Sequence, residues 1–121
     1  KELGKKVVLT HGLDGCLFIY SLSEWKKISE KLSEMGMAQA DSRGFNRFIL
    51  AGAVELEIDS LGRINIPDFL KSFAEIGQKA VFAGVYKRVE VWNEKKWSLY
   101  KSRMEKQADV MAEKLGETGM L

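Results

Sequence analysis

Two stretches of the chain carry the same hydrophobic pattern in the same order. Lys6-Val7-Val8-Leu9-Thr10, a short turn and Cys16-Leu17-Phe18-Ile19-Tyr20 lead to Trp25, and Lys79-Ala80-Val81-Phe82-Ala83, a turn and Arg88-Val89-Glu90-Val91-Trp92 lead to Trp97. From Cys16 and Arg88 to the two tryptophans the offset is a constant 72, and before the turn it is 73, so the turns differ by one residue. Each copy predicts two strands, a turn and the start of a helix. Ser21, with Glu24 three residues later, has the spacing of a capping box, and Asn93 stands at the equivalent position as an N-cap.

Behind each cap the period changes from two to that of a helix. Trp25, Ile28, Leu32 and Met35 form one stripe before Gly36, and Trp97, Tyr100, Met104, Ala108, Met111 and Leu115 form a longer one up to Gly116. The second stripe is longer than one small core needs, so part of it is available to another subunit. Between the repeats, Asp41 is placed to cap a helix carrying Phe45, Phe48 and Ile49, which Gly52 ends. Val54-Glu55-Leu56-Glu57-Ile58 and Ile64-Asn65-Ile66 then alternate on either side of Asp59-Ser60-Leu61-Gly62-Arg63, which predicts a hairpin with its apolar side on a core. Pro67 suits the first turn of a short helix whose buried side is Leu70, Phe73 and Ile76.

Composition narrows the class. With 121 residues, 45% hydrophobic and 30% charged, the chain has the makeup of one small globular domain. No apolar run approaches the roughly 20 residues of a membrane span, and no apolar stretch follows the basic start, so secretion and membrane insertion are not expected and the compartment reads as cytoplasmic. A lone Cys16 and a lone His11 exclude an internal disulfide and leave too few ligands for a zinc centre. Neither metal nor cofactor is expected. The formal charge of +2 is too small to hold a polyanion by general attraction, so nucleic-acid binding would have to come from local placement or from many copies.

The Asp59-x-x-Gly62-Arg63 segment is the most informative in the chain. Glycine at 62 permits a tight turn, and Asp59 can accept backbone N–H groups or pair with Arg63. A guanidinium braced in this way keeps a planar fork for a guanine edge or a phosphate. The plain alternative is a hairpin turn with a surface ion pair, worth about 0 to 1 kcal/mol. Lys87 and Arg88, at the turn between the last two strands, are candidate phosphate contacts or simply a solvated turn.

Several separated motifs agree in order and spacing with one family. Leu9-Thr10-His11-Gly12-Leu13-Asp14-Gly15-Cys16-Leu17, Phe45-Asn46-Arg47-Phe48 with Ala51-Gly52-Ala53, Asp59-x-x-Gly-Arg63-Ile-x-Ile-Pro67 and Val89-Glu90-Val91-Trp92 resemble the MraZ proteins, from about Lys5 to Trp97. The resemblance implies an α+β fold of two tandem AbrB-type swapped-hairpin units related by a pseudo-twofold repeat. It implies a regulator of the bacterial division and cell-wall gene cluster that assembles into a homo-oligomeric ring on the nucleoid. Such a protein binds short direct repeats in promoter double-stranded DNA through Asp-x-x-x-Arg hairpins and has no enzymatic activity or small-molecule substrate. By that resemblance Asp59 and Arg63 are the motif pair of the second unit, and Arg63, Asp59, Gly62 and Ser60 are its expected DNA-binding residues. The units are expected at 1–52, incomplete, and 53–121. The repeat offset puts the first Asp-x-x-x-Arg hairpin ahead of Lys1, so the strands at 6–10 and 16–20 are expected to be left with exposed edges.

Two other readings compete. AbrB-type units also occur in antitoxins, where the DNA-binding domain is followed by a segment that folds onto a toxin, and Lys101 to Leu121 could be such a segment. A nucleophilic set of His11, Asp14 and Cys16 can also be drawn, against which Cys16 reads as a small buried hydrophobe and His11 as a turn residue.

Overall fold

The computed structural model describes residues 4–36 and 38–119; residues 1–3 and 120–121, at the outer ends of the two expected units, lie outside the described residues. The chain runs β1 (Lys6–His11), β2 (Leu17–Ser21), α1 (Leu22–Ser33), α2 (Ala40–Ala51), β3 (Val54–Glu57), α3 (Asp68–Ala74), β4 (Ala80–Val85), β5 (Arg88–Asn93) and α4 (Glu94–Glu117). The fold is α+β, with the five strands in one antiparallel sheet of order β3-β1-β2-β5-β4. Both copies of the repeat form the expected strand-turn-strand-helix unit. Their caps match as well: Ser21 Oγ accepts from Glu24 N at 3.2 Å, and Asn93 Oδ1 accepts from Lys96 N at 2.9 Å.

The two copies meet at the centre of the sheet. β2 and β5 pair through Leu17 with Val91, Phe18 with Glu90 and Ile19 with Val89. Phe18 and Glu90 are themselves equivalent at the offset of 72, so a local twofold axis passes between them and the ladder is self-complementary. Alternate residues then bury opposite faces. On one face Val7, Leu9, Leu17, Ile19 and Val91 pack with Leu70 and Ala74 of α3. On the other, Cys16, Phe18, Tyr20 and Trp92 pack with Trp25 and Ile28 of α1 and Trp97 and Tyr100 of α4.

Several expectations change. The strands at 6–10 and 16–20 are not edges: β1 is paired by both β2 and β3, and β2 by both β1 and β5. Among the described residues the open edges are those of β3 and β4. The expected hairpin is half a hairpin, because residues 63–67 lie outside the sheet while Ile64 and Ile66 still pack on the first core. Asp41 sits in the first turn of α2 and Gln39 takes the cap position without a side-chain bond, while Pro67 precedes α3 as its cap residue. Finally, α1 stops at Ser33, which leaves Met35 exposed beyond its stripe. In α4, Trp97 and Tyr100 reach the second core, whereas Ala108 and Leu115 remain exposed on a helix with no fully buried residue. Residues 101–117 are continuous helix. Among the described residues no helix is long and apolar enough to cross a membrane.

The end of β1 holds the C-terminus of α2. Thr10 Oγ1 donates to Ile49 O at 2.6 Å and His11 Nδ1 to Phe48 O at 2.9 Å, which satisfies two carbonyls that a helix end leaves without partners. The His11 ring stacks on Phe48 at 4.4 Å and meets Phe73 edge-on at 4.5 Å. It is thus the last residue of β1 and part of an aromatic cluster, not a free turn residue. A Cβ at Gly52 would collide with His11 Nδ1 and crowd Phe48 O, so glycine is required there for close approach. Gly52→Ala is expected to lower stability by about 1 to 3 kcal/mol in urea unfolding, and His11→Ala in the same chain to recover part of that loss.

Candidate nucleic-acid interface

After β3 the backbone folds back on itself through one carboxylate. Asp59 Oδ1 accepts from Arg63 N at 2.8 Å and from Leu61 N at 2.9 Å, and Oδ2 accepts from Arg63 Nε at 3.0 Å. The main chain closes the same loop, with Asp59 N donating to Arg63 O at 2.9 Å and Gly62 N to Asp59 O at 3.0 Å. Gly62 has φ 79°, a left-handed conformation that costs a residue with a Cβ and is free to glycine. The two roles open to Asp59 from sequence are therefore both filled. The N–H of Arg63 foremost, with its guanidinium and the N–H of Leu61, holds the Asp59 carboxyl below its ordinary value, outweighing the opposing effect of desolvation.

Arg63 uses one edge of its guanidinium on Asp59, and its side chain remains 71% exposed. The remaining N–H groups project from a loop whose backbone is pinned at four points. As an ion pair alone the arrangement is worth little. Its consequence is positional: a charged planar donor set is held in one orientation without being neutralised by burial. Ser60 is exposed in the same turn.

The other two candidate cations are placed differently. Lys87 is exposed at the turn between β4 and β5, beside the fully exposed Tyr86 ring at 5.9 Å. Arg88 is engaged: Nε and Nη2 donate to Glu90 Oε2 at 3.1 and 2.8 Å, and the guanidinium lies 4.5 Å over the Phe18 ring. Trp92 Nε1 donates to Glu90 Oε1 at 3.0 Å, so a carboxylate only 12% exposed is satisfied at both oxygens beside the local twofold axis. Sequence reading missed this role of Glu90; its signal was a carboxylate facing the same side of β5 as Arg88 and Trp92.

Beside the arginine turn lies an apolar groove of about 440 Å³, walled by Val7, Ile19 and Val89 of the sheet, Phe82 of β4, and Ile58, Ile64 and Ile66 of the loop, with Gly62 and Arg63 at its border. Only the folded sheet brings these residues together. His11 and Cys16 do not form a nucleophilic pair: His11 is bonded to Phe48 O, and Cys16 Sγ donates to Leu13 O at 3.2 Å. Burial, with Glu90 and Asp14 nearby, pushes the Cys16 thiol up to about 12, which leaves it protonated at neutral pH.

Because the folded-state value of Asp59 is depressed, its bracing is complete above the ordinary carboxylate range and is lost as pH falls through that lowered value. Amide exchange at Leu61 and Arg63 is expected to be slow at neutral pH and to lose its protection on acidification. Asp59→Ala should remove that protection at every pH, as NMR hydrogen exchange would show.

The family model described as "MraZ protein, putative antitoxin-like" matches residues 1–48 and 49–116, so it occurs twice. A Transcriptional regulator MraZ of Caldanaerobacter subterraneus subsp. tengcongensis is 50% identical over 117 residues, covering 97% of this chain and 79% of the relative. The protein of the same name from a Thermoanaerobacter species is 48% identical over 117 residues, covering 97% and 82%. That from Alkaliphilus metalliredigens is 39% identical over 120 residues, covering 99% and 84%.

Proposed function

The chain belongs to the MraZ family, and on that premise we propose that it is a sequence-specific DNA-binding transcriptional regulator of the bacterial division and cell-wall gene cluster. The observation that carries this reading is the exposed Arg63 guanidinium on a turn clamped by Asp59. An arginine fork on a projecting turn can bond guanine O6 and N7 in the major groove or, at the groove edge, a phosphate. Ser60 and Gly62 let the backbone approach, and Lys87 adds a phosphate contact. Arg88, committed to Glu90, supports the base of its own turn instead.

Affinity comes from number. A net +2 per chain gives little general attraction, so several copies engaging successive direct repeats make each further contact effectively intramolecular. A ring of such copies is supported by surfaces that one chain leaves uncovered: the apolar groove beside Arg63, and Phe82 and Val85 exposed on the open β4 edge. The two units of the ring subunit are 1–52 and 53–121, and its place is the cytoplasm at the nucleoid.

The test uses the full chain to enrich binding duplexes from a random-sequence pool, followed by titration of Arg63→Ala on the enriched duplex by fluorescence anisotropy. Loss of one bidentate contact should cost about 1 to 3 kcal/mol per engaged hairpin, with unchanged thermal unfolding. Unchanged affinity would show that this turn is not the reader.

A further inference from the structure

Leu61 is the one large apolar side chain in the arginine turn between Asp59 and Arg63, and it is 73% exposed. A single exposed leucine is ordinary on a protein surface. What distinguishes this one is its anchorage. Its N–H is held by Asp59 Oδ1 at 2.9 Å, the same oxygen that receives Arg63 N at 2.8 Å, so both residues leave one clamped loop. Leu61 belongs to neither apolar core. It is also outside the groove that Ile58, Gly62, Arg63 and Ile64 of the same loop help to line. The turn therefore carries an exposed leucine and an exposed guanidinium two residues apart, neither of them part of the two cores.

Resting on the reading of this turn as the DNA-contacting element, we propose that Leu61 contacts the C5-methyl group of a thymine close to the base pair that Arg63 addresses. The major-groove edge of a base pair presents hydrogen-bonding groups and, at thymine alone, a methyl group. A guanidinium and a leucine two residues apart on a rigid tip complement those two features. The leucine adds what an arginine cannot supply, which is preference for thymine over cytosine through burial of apolar surface. The specificity of the turn is thus shared between a donor fork and a methyl contact.

The enriched duplex described above is resynthesised with uracil replacing its thymines one at a time, a change that removes only the methyl group. Wild type, Leu61→Ala and Arg63→Ala are titrated on each duplex by anisotropy, with sedimentation velocity for assembly size and thermal unfolding for integrity. For the wild type, uracil at one thymine of each repeat should weaken binding about fourfold per engaged hairpin, the value of one buried methyl-sized group. Leu61→Ala should lose a similar factor on the thymine duplex, be insensitive to uracil at that position, and keep the wild-type size and unfolding temperature. The proposal is overturned if Leu61→Ala stays as sensitive to uracil as the wild type, or binds the thymine duplex as tightly. It is also overturned if its loss is equal on both duplexes, as a wedge between bases or a contact between copies would give, the latter with altered sedimentation. Failure of Arg63→Ala to weaken binding rejects the whole turn as reader, whereas weakening by Arg63→Ala with wild-type behaviour of Leu61→Ala rejects the leucine alone.

Discussion

The antiparallel ladder between β2 and β5 is the constraint on which the rest of the molecule depends. Each copy of the repeat supplies only a two-stranded hairpin and a helix, and an isolated hairpin is marginal in water. Pairing Phe18 against its own equivalent, Glu90, joins the hairpins into one sheet and aligns alternate residues of both on two shared cores. The local symmetry stops at the side chains. Where one copy has phenylalanine the other has a carboxylate, and that carboxylate is tolerated beside the core because Arg88 and Trp92 bond both its oxygens while Arg88 lies over the Phe18 ring.

The sheet also determines where the arginine turn sits. β3 adds to the outer edge of β1, so the turn that follows emerges at one end of the sheet and returns over the face built from Val7 and Ile19. Its own rigidity is local, arising from one carboxylate shared among two backbone N–H groups and a guanidinium. Position comes from the sheet and orientation from Asp59. Together they turn an exposed ion pair, of little energetic worth in itself, into a donor set with a defined direction.

The other edge of the sheet has no such cover. β4 stands where the local twofold axis would put the counterpart of β1, and β1 is covered by β3 whereas the outer edge of β4 is open, with Phe82 and Val85 exposed along it. An open edge beside an apolar groove is the kind of surface that soluble proteins cover by pairing.

The internal repeat, the caps at Ser21 and Asn93, the stripes of α1 and α4 and the Asp59–Gly62–Arg63 turn were legible in the residues because each depends on contacts within a few positions of chain. Periodicity and hydrogen-bonding chemistry act over that range. The partners of β1 and β2, the failure of residues 63–67 to complete a ladder, the seating of His11 on Phe48 and the capture of Arg88 by Glu90 were settled only by the tertiary structure. They depend on which distant segments reach a strand edge first, or on which face of a strand two side chains share once it is paired. A sequence carries the donors, acceptors and apolar faces, while their pairing over tens of residues is decided by the packing of the whole sheet.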